Sequence, residues 1–576
     1  MNTRYRNLTQ SEIEQLEQAG NFAEDWSAIR VADPFCVDCL RNNSFDGEVR
    51  LGVMERNRVS HDGLTLREGI YNSTLCNTTV GNHPVIHNVH MLSGYTLGDK
   101  VMLFNVEEMS SVLNPQPDDF AWLEPMNENG GRRILPFSGM TIGDAYLWAR
   151  YRGHKKLMER LEQMTNDTLA TSEGSYGRVG DCCVVKNTKA IRNVTIRSTA
   201  DDRTVVDGCI VLCDGVVGTG CTLEHGVIAV RFLLGEHVHL EFGLRLNDTV
   251  VGDNSTLARC EVGNSIIFPA HEQHHNNSFL IAGLIMGQSN IAAGGTIGSN
   301  HNSRTADNEI AAGRGFWPGL CCSFKHSSRF ASYCLLAKGD YPAELDILLP
   351  FALVNNNVSK DQLEVMPAYW WMYNMYAMDR NSKKFAKRDK RVVKAQHIEF
   401  DNLAPDTAEE ILHGMEKGKR KTVILKAAEG LKAYEDMLVF YAMKTLDGSP
   451  LNTEHLTLNT DWVNIGGQLV AKPDIERLIA DVENGAIGSW DALHAQMDTL
   501  WEAYPAQREV HAYGILCRLA GVDQLDESLW QRYQQRYEDI KNYIEEQKII
   551  SRHKDDVNPF RNMTYWNDDE RHAVIG

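Results

Sequence analysis

The chain has 576 residues, of which 43% are hydrophobic and 23% charged, with a formal net charge of −19. That length accommodates two or more domains with full cores, and the acidic balance excludes a non-specific nucleic-acid binder, which needs a cationic field. No apolar run is long enough to cross a bilayer. The polar start Met1-Asn-Thr-Arg-Tyr-Arg lacks an apolar signal core, so a cytoplasmic location is expected. The 13 cysteines are scattered, and Cys36-x-x-Cys39 has no second pair to complete a zinc site. They read as reduced thiols that fill small core positions.

In chain order, residues 1–48 form an N-terminal helical segment, opened by the capping box Thr9-x-x-Glu12 with Ile13 and Leu16 on its apolar side. Residues 49–109 then carry a period that is neither helical nor a two-residue alternation: Val80, Ile86 and Leu92 are six apart. Residues 110–175 interrupt it with Asn114-Pro-Gln-Pro-Asp-Asp and a helix near Thr141–Met164, where Ala145, Trp148, Leu157 and Leu161 share a face. Residues 176–355 resume the period at Val179, Val185 and Ile191, then at Val205, Val211, Val217 and Leu223. After a five-residue step it continues at Ile228, Leu234, Leu240 and Leu246, and later at Phe279, Ile285, Ile291 and Ile297. Many of these residues precede glycine, as in Val80-Gly81, Val217-Gly218 and Leu234-Gly235. Such spacing predicts a solenoid of short parallel strands, a parallel β-helix, with glycine where a corner needs positive φ or close backbone approach. Residues 356–576 lose the period and read as a mostly helical C-terminal domain, with helices after Pro367 and over Ala427–Leu446, Trp490–Tyr504 and Leu529–Lys548.

These repeats resemble the hexapeptide-repeat superfamily, which implies a left-handed parallel β-helix with coils of roughly eighteen residues. Most of its members with a known activity transfer acyl groups from CoA or acyl carrier protein, and many are trimers. Within the repeats, His275-Asn-Asn-Ser-Phe-Leu, Asn290-Ile-Ala-Ala-Gly-Gly-Thr-Ile and Asn300-His-Asn-Ser resemble the acetyltransferase half of the bifunctional enzyme that makes UDP-N-acetylglucosamine. The resemblance implies His275 as general base, Asn290 at the sugar, and Asn300 with His301 near the pantetheine arm of acetyl-CoA or another acyl-CoA. Histidine suits attack on a thioester, since its pKa is near neutrality. The family's sugar-phosphate lysine has no counterpart here, because Ile267-Phe-Pro-Ala occupies its place.

A further set of motifs, Gly313-Arg-Gly-Phe-Trp-Pro-Gly, Lys325-His-Ser-Ser-Arg-Phe and Leu336-Ala-Lys-Gly-Asp-Tyr-Pro, resembles an uncharacterised bacterial family defined as a domain of unknown function. Arg304, Arg314, Lys325, Arg329 and Lys338 put five cations within 35 residues of an acidic chain. They read either as a phosphate-holding set, with Phe316 and Trp317 stacking on a base or sugar, or as a structural loop tied to backbone carbonyls. His83, His87 and His90 offer imidazoles, but their spacing does not fit a zinc site and no metal is expected. The basic run Lys383–Arg391 reads as a solvated helix face, and the aromatic stretch before it as packing on the coils.

Three functions remain open: acyl-CoA-dependent transfer to a sugar or nucleotide sugar, a non-catalytic sugar-phosphate- or nucleotide-sugar-binding or regulatory role, and a metal-dependent lyase of the carbonic anhydrase type. The expected partner is a small sugar ligand, with no nucleic acid and no membrane, in a monomer or a homo-oligomer such as a trimer.

Overall fold

The structure is a computed structural model that describes residues 4–575, apart from 114, 116–118, 172–175, 299–307, 417–421, 448–459 and 555–562. Its centre is a left-handed parallel β-helix, with helices inserted into it and following it. One face carries Thr222–Glu224, His239–Glu241 and Thr256–Ala258 on successive coils, and the registers Thr222↔His239 and His239↔Thr256 set a coil of 17 residues. The inward side chains Val206, Leu212, Val217, Leu223, Ala229, Leu234 and Leu240 are all essentially inaccessible, so the true steps are six, five and six. Val205, Val211 and Ile228 therefore lie one position off the core and are half-buried. A strict six-residue reading overshoots these 17-residue coils by one, whereas later coils reach the eighteen of the resemblance, as the registers Trp317↔Leu335 and Leu335↔Leu353 show.

Sharp corners separate the three faces. One corner holds Asn42, Asn72, Asn88, Asn105 and Asn187 in the left-handed region, where asparagine is tolerated better than most residues. Their amides join across coils, with Asn42 donating to Asn72 at 3.2 Å and Asn105 to Asn187 at 3.1 Å. The glycines that follow apolar residues serve a different need. Gly81, Gly218 and Gly235 have ordinary φ, but a Cβ on Gly218 would lie 2.1 Å from the Gly235 carbonyl oxygen. Close approach of stacked coils is what requires them.

Coils begin before Val49, since Phe22–Ala23 and Ile29–Ala32 already pair in parallel with Ser44–Asp46 and Val49–Leu51. The helix α1 (Gln10–Gln18) precedes them, capped by Thr9 and Glu12 as the sequence predicts. The insertion leaves the stack intact, because Met102 pairs with Val184 across it. It contains two helices where one was expected, α2 (Ile142–Arg150) and α3 (Lys155–Leu169), separated at Tyr151–His154 by a turn containing Gly153. Thr141 and Asp144 form a capping box on α2. These helices cover Val216, Leu233, Val250, Ile266 and Leu284, the outward residues of one face, which explains the doubled apolar pairs such as Leu233-Leu234 and Val250-Val251.

After the coils come α4 (Tyr369–Tyr373), α5 (Met375–Arg388), α6 (Pro405–Glu416), α7 (Ala427–Leu446), α8 (Lys472–Asn484), α9 (Trp490–Ala520), α10 (Glu527–His553) and α11 (Asp568–Ile575). The helix expected to stop near Tyr504 continues through Pro505. Its buried residues Ala512, Tyr513, Ile515 and Leu516 outweigh the backbone hydrogen bond that proline removes. α8 and the start of α9 share a core with α2 and α3, while the later part of α9 packs with α5, α7 and α10. The C-terminal helices thus clasp both the insertion and the end of the solenoid. Among the described residues no helix is long and apolar enough to cross a membrane. All thirteen cysteines are free, and most are buried.

Candidate functional site

The histidine-rich stretch sits where one coil is stretched. Leu257 pairs with Gln273 but Cys260 pairs with Ser278, so two extra residues push His274–Asn277 out from the corner. His271 lies wholly inside, its ring nitrogens 2.8 Å from the Ser289 hydroxyl and 3.2 Å from the Gln273 amide oxygen. Burial drives its pKa down to about 4, so it is a neutral core residue. His274 is partly buried, and burial lowers its pKa against the opposing charge of Glu272. His275 is exposed, with its ring centroid 4.6 Å from that of His274.

Below this turn lies an open groove of about 860 Å³, lined by Phe242, Arg245, Arg259, Asn276, Asn277 and Phe279 among others. His225 stacks on Phe242 at 4.9 Å, and the Arg259 guanidinium lies 4.7 Å above the same ring. The stacking follows from the 17-residue coil, which brings residues 225, 242 and 259 to the same corner. Neither Arg245 nor Arg259 is engaged in an ion pair among the described residues. Nothing local in the sequence distinguishes either arginine.

Asn290 lies one coil beyond Glu272 and donates to it at 3.2 Å. Glu272 also receives Lys384 at 2.7 Å and Arg388 at 2.6 Å, so part of the basic run on α5 docks on the solenoid where a solvated face was expected. Asn300, His301 and Arg304 lie outside the described residues. Arg314 is enclosed, with two bonds to Asp406 at 2.8 and 2.7 Å and one to the Asp401 carbonyl at 2.9 Å. That is the structural alternative, a guanidinium that fastens the 399–406 segment to the coils. Arg329 is exposed on another face and pairs with Asp346 at 2.8 Å, Lys325 is half-buried and Lys338 is exposed. The described cations do not gather around His275. Phe316 fills the core beside Phe330, and Trp317 packs on Trp370 at 5.7 Å, so neither is presented to a ligand. His83 bonds to Glu68 and His87 to the Arg67 carbonyl; among the described residues no three metal-ligand side chains converge.

No local sequence motif marks a second cleft. It follows the glycine column where the insertion meets the coils, has a volume of about 750 Å³, and is lined by Ser138, Arg178, Asp181, Arg197, Thr199 and Thr219 among others. A smaller space of about 20 Å³ shares Arg197 with it and is lined by Gly139–Ile142, Ala395, Gln396, Gly235, Glu236 and Asp253. Glu236 is 4% exposed; one of its carboxylate oxygens accepts from the Thr219 hydroxyl at 3.3 Å and the other has no partner. Burial, helped by the charge of Asp253, pushes its pKa up to about 7. A carboxyl raised from its ordinary value near 4.5 holds its proton in the folded state over a window where the unfolded chain has released it. Stability from this group is therefore lost as pH rises through about 4.5 to 7, up to ~3 kcal/mol in all. Glu410 is raised in the same way, to about 7, so the check is a difference. Melting between pH 5 and pH 8 should fall less steeply for Glu236→Gln than for the wild type, and equal slopes would remove Glu236 from the account.

A solenoid with a helical clasp, with polar clefts along its coils, defines a parallel β-helix protein. Comparison with known proteins makes the family explicit. The model for "Domain of unknown function (DUF4954)" matches residues 5–421, and that for "Domain of unknown function (DUF6819)" matches residues 448–565. A protein of Treponema pallidum (strain Nichols), described as uncharacterized, is 40% identical over 99% of this chain and 90% of its own length. The chain belongs to the DUF4954 family, as its Gly313–Tyr341 motifs suggested.

Proposed function

We propose that this protein binds a sugar phosphate or nucleotide sugar in the groove beneath the His274–Asn277 turn. The observation that carries this reading is the pair of arginines without ion-pair partners, Arg245 and Arg259, beside aromatic rings and two asparagine amides. Arginine forks suit phosphate, aromatic faces suit a base or sugar ring, and amides suit hydroxyls. A second reading, acyl-CoA-dependent transfer to the bound sugar, is favoured by one feature. His275 stands in the same turn as Asn276 and Asn277, which line the groove.

Thermal melting with UDP-N-acetylglucosamine, glucose 1-phosphate and acetyl-CoA tests both readings. Ligand at about a thousand times its Kd adds about 4 kcal/mol. The nucleotide sugar should raise the melting temperature of the wild type and not that of Arg245→Gln/Arg259→Gln. Transfer requires in addition that CoA be released and that His275→Ala slow the release by about 10²–10⁴-fold. No shift with either sugar ligand would end the binding reading.

A further inference from the structure

The junction cleft contains two features that folding alone does not require. A carboxylate oxygen of Glu236 is buried with no hydrogen-bond partner, although such a group ordinarily finds one. Arg197, whose side chain lines both the cleft and the inner space, is half-exposed and has no carboxylate within ion-pair distance among the described residues. Three separate parts of the chain form the walls: the coils, the insertion at Ser138–Ile142, and the Ala395–Gln396 linker. The Gln396 side chain fastens the linker to the insertion by accepting from the Gly143 amide at 2.8 Å. Junctions of this kind, holding several hundred Å³ and a few convergent polar groups, are where small-ligand sites form.

The lining limits the ligand. Arg197 supplies positive charge to the wall, and Asp99 and Asp181 supply negative charge. One oxygen of each aspartate is already used, Asp99 by the Asn82 amide at 2.7 Å and Asp181 by the Asp99 amide at 2.8 Å. A polyanion such as a nucleoside triphosphate would meet those carboxylates. A molecule with a single anionic group and several hydroxyls would not, since hydroxyls donate to carboxylates and accept from Ser138, Thr199 and Thr219.

We propose that this cleft is a second ligand site, distinct from the groove beneath His275, for a small polyol with one phosphate-like anionic group. The anion is held at Arg197, and a hydroxyl donates to the open oxygen of Glu236. The space around Glu236 fits about one oxygen atom or one water, so a single hydroxyl enters while the rest of the ligand stays in the wider cleft.

The test uses the full-length protein with two probes, inorganic phosphate and glucose 6-phosphate, read by calorimetric titration at pH 7. Both should bind saturably to the wild type, the sugar phosphate more tightly. Arg197→Gln should weaken both by about tenfold or more, the usual cost of a lost charge-assisted hydrogen bond. Glu236→Gln should keep phosphate binding and remove most of the preference for glucose 6-phosphate. The same titrations run in the Arg245→Gln/Arg259→Gln background remove the groove's contribution, and saturable glucose 6-phosphate binding there that Arg197→Gln still weakens belongs to this cleft. Hydrogen exchange on the wild type provides a reading independent of any variant, with glucose 6-phosphate slowing amides in 138–142 and 197–199. No saturable binding of glucose 6-phosphate, wild-type affinity in Arg197→Gln, an undiminished preference in Glu236→Gln, or protection confined to other segments would each overturn the proposal.

Discussion

Gly218→Ala is expected to destabilise the solenoid by several kcal/mol, more than an alanine at Gly243, a corner glycine with positive φ and open space around it. The added Cβ would lie 2.1 Å from the Gly235 carbonyl oxygen and 2.5 Å from its carbon, both backbone atoms of the next coil. Neither can rotate away, so the coils must separate, and the adjoining strand pairs Val216↔Leu233 and Val217↔Leu234 separate with them. Overpacking alone costs about 1–3 kcal/mol, and lost ladder bonds add to it. Gly243→Ala is the control. It has φ +75° but nothing within 4 Å of the new Cβ, so only the left-handed strain of about 1–2 kcal/mol applies. Urea unfolding of the two variants should show the larger loss at Gly218. The opposite order would mean that corner conformation, not close approach, selects glycine here.

Much of this architecture is written in the chain because a solenoid repeats one local solution. Each coil contributes inward aliphatics at fixed intervals, so Leu223, Leu234 and Leu240 declare the fold without any long-range contact being known. The exact steps were harder to see. Val205-Val206 and Val211-Leu212 each offer two apolar residues, and only packing decides which one points inward. The second residue of a doubled pair such as Leu233-Leu234 faces the core, while the first meets α2 and α3, a partner over sixty residues away in sequence. Pro505 misled for a related reason: the tertiary contacts of Tyr513 and Leu516 keep α9 going where local preference would end it.

The sites were far less legible, since side chains there meet across coils and across segments. Arg314 and Arg245 look alike in the sequence. One is enclosed by Asp406 and backbone carbonyls, and the other lines an open groove. Glu236 and Asp253 each follow an apolar–glycine pair and read as ordinary corner residues. What distinguishes them is that residues 139–142 and 395–396 cover this corner and not the others. Nothing in the spacing of either segment announces that contact. His271 shows the converse, a histidine that suggests chemistry in sequence and proves to be neutral filling in the core.

Arg391→Ala should cost about 3–5 kcal/mol, because it strands two buried carboxylates. The arginine side chain is 2% exposed, and Asp253 and Asp389 are 4% and 5% exposed. Its guanidinium donates to Asp253 at 2.5 Å, to Asp389 at 2.8 and 3.1 Å, and to the Gln396 carbonyl at 2.6 Å. These bonds pin the segment after α5 to the coil that carries Asp253, and Asn254 adds a further bond to Asp389 at 3.1 Å. Without the cation, both carboxylates must either take up protons or draw water into the junction. The triple variant Arg391→Met, Asp253→Asn, Asp389→Asn removes the charges together and should recover most of the loss, since the penalty comes from uncompensated charge. Urea unfolding measures the difference, and limited proteolysis between residues 389 and 396 locates it. A loss below about 1 kcal/mol in Arg391→Ala would mean that the linker is held by its neighbours, Gln396 and α5, and that this buried ion network contributes little to closing the junction.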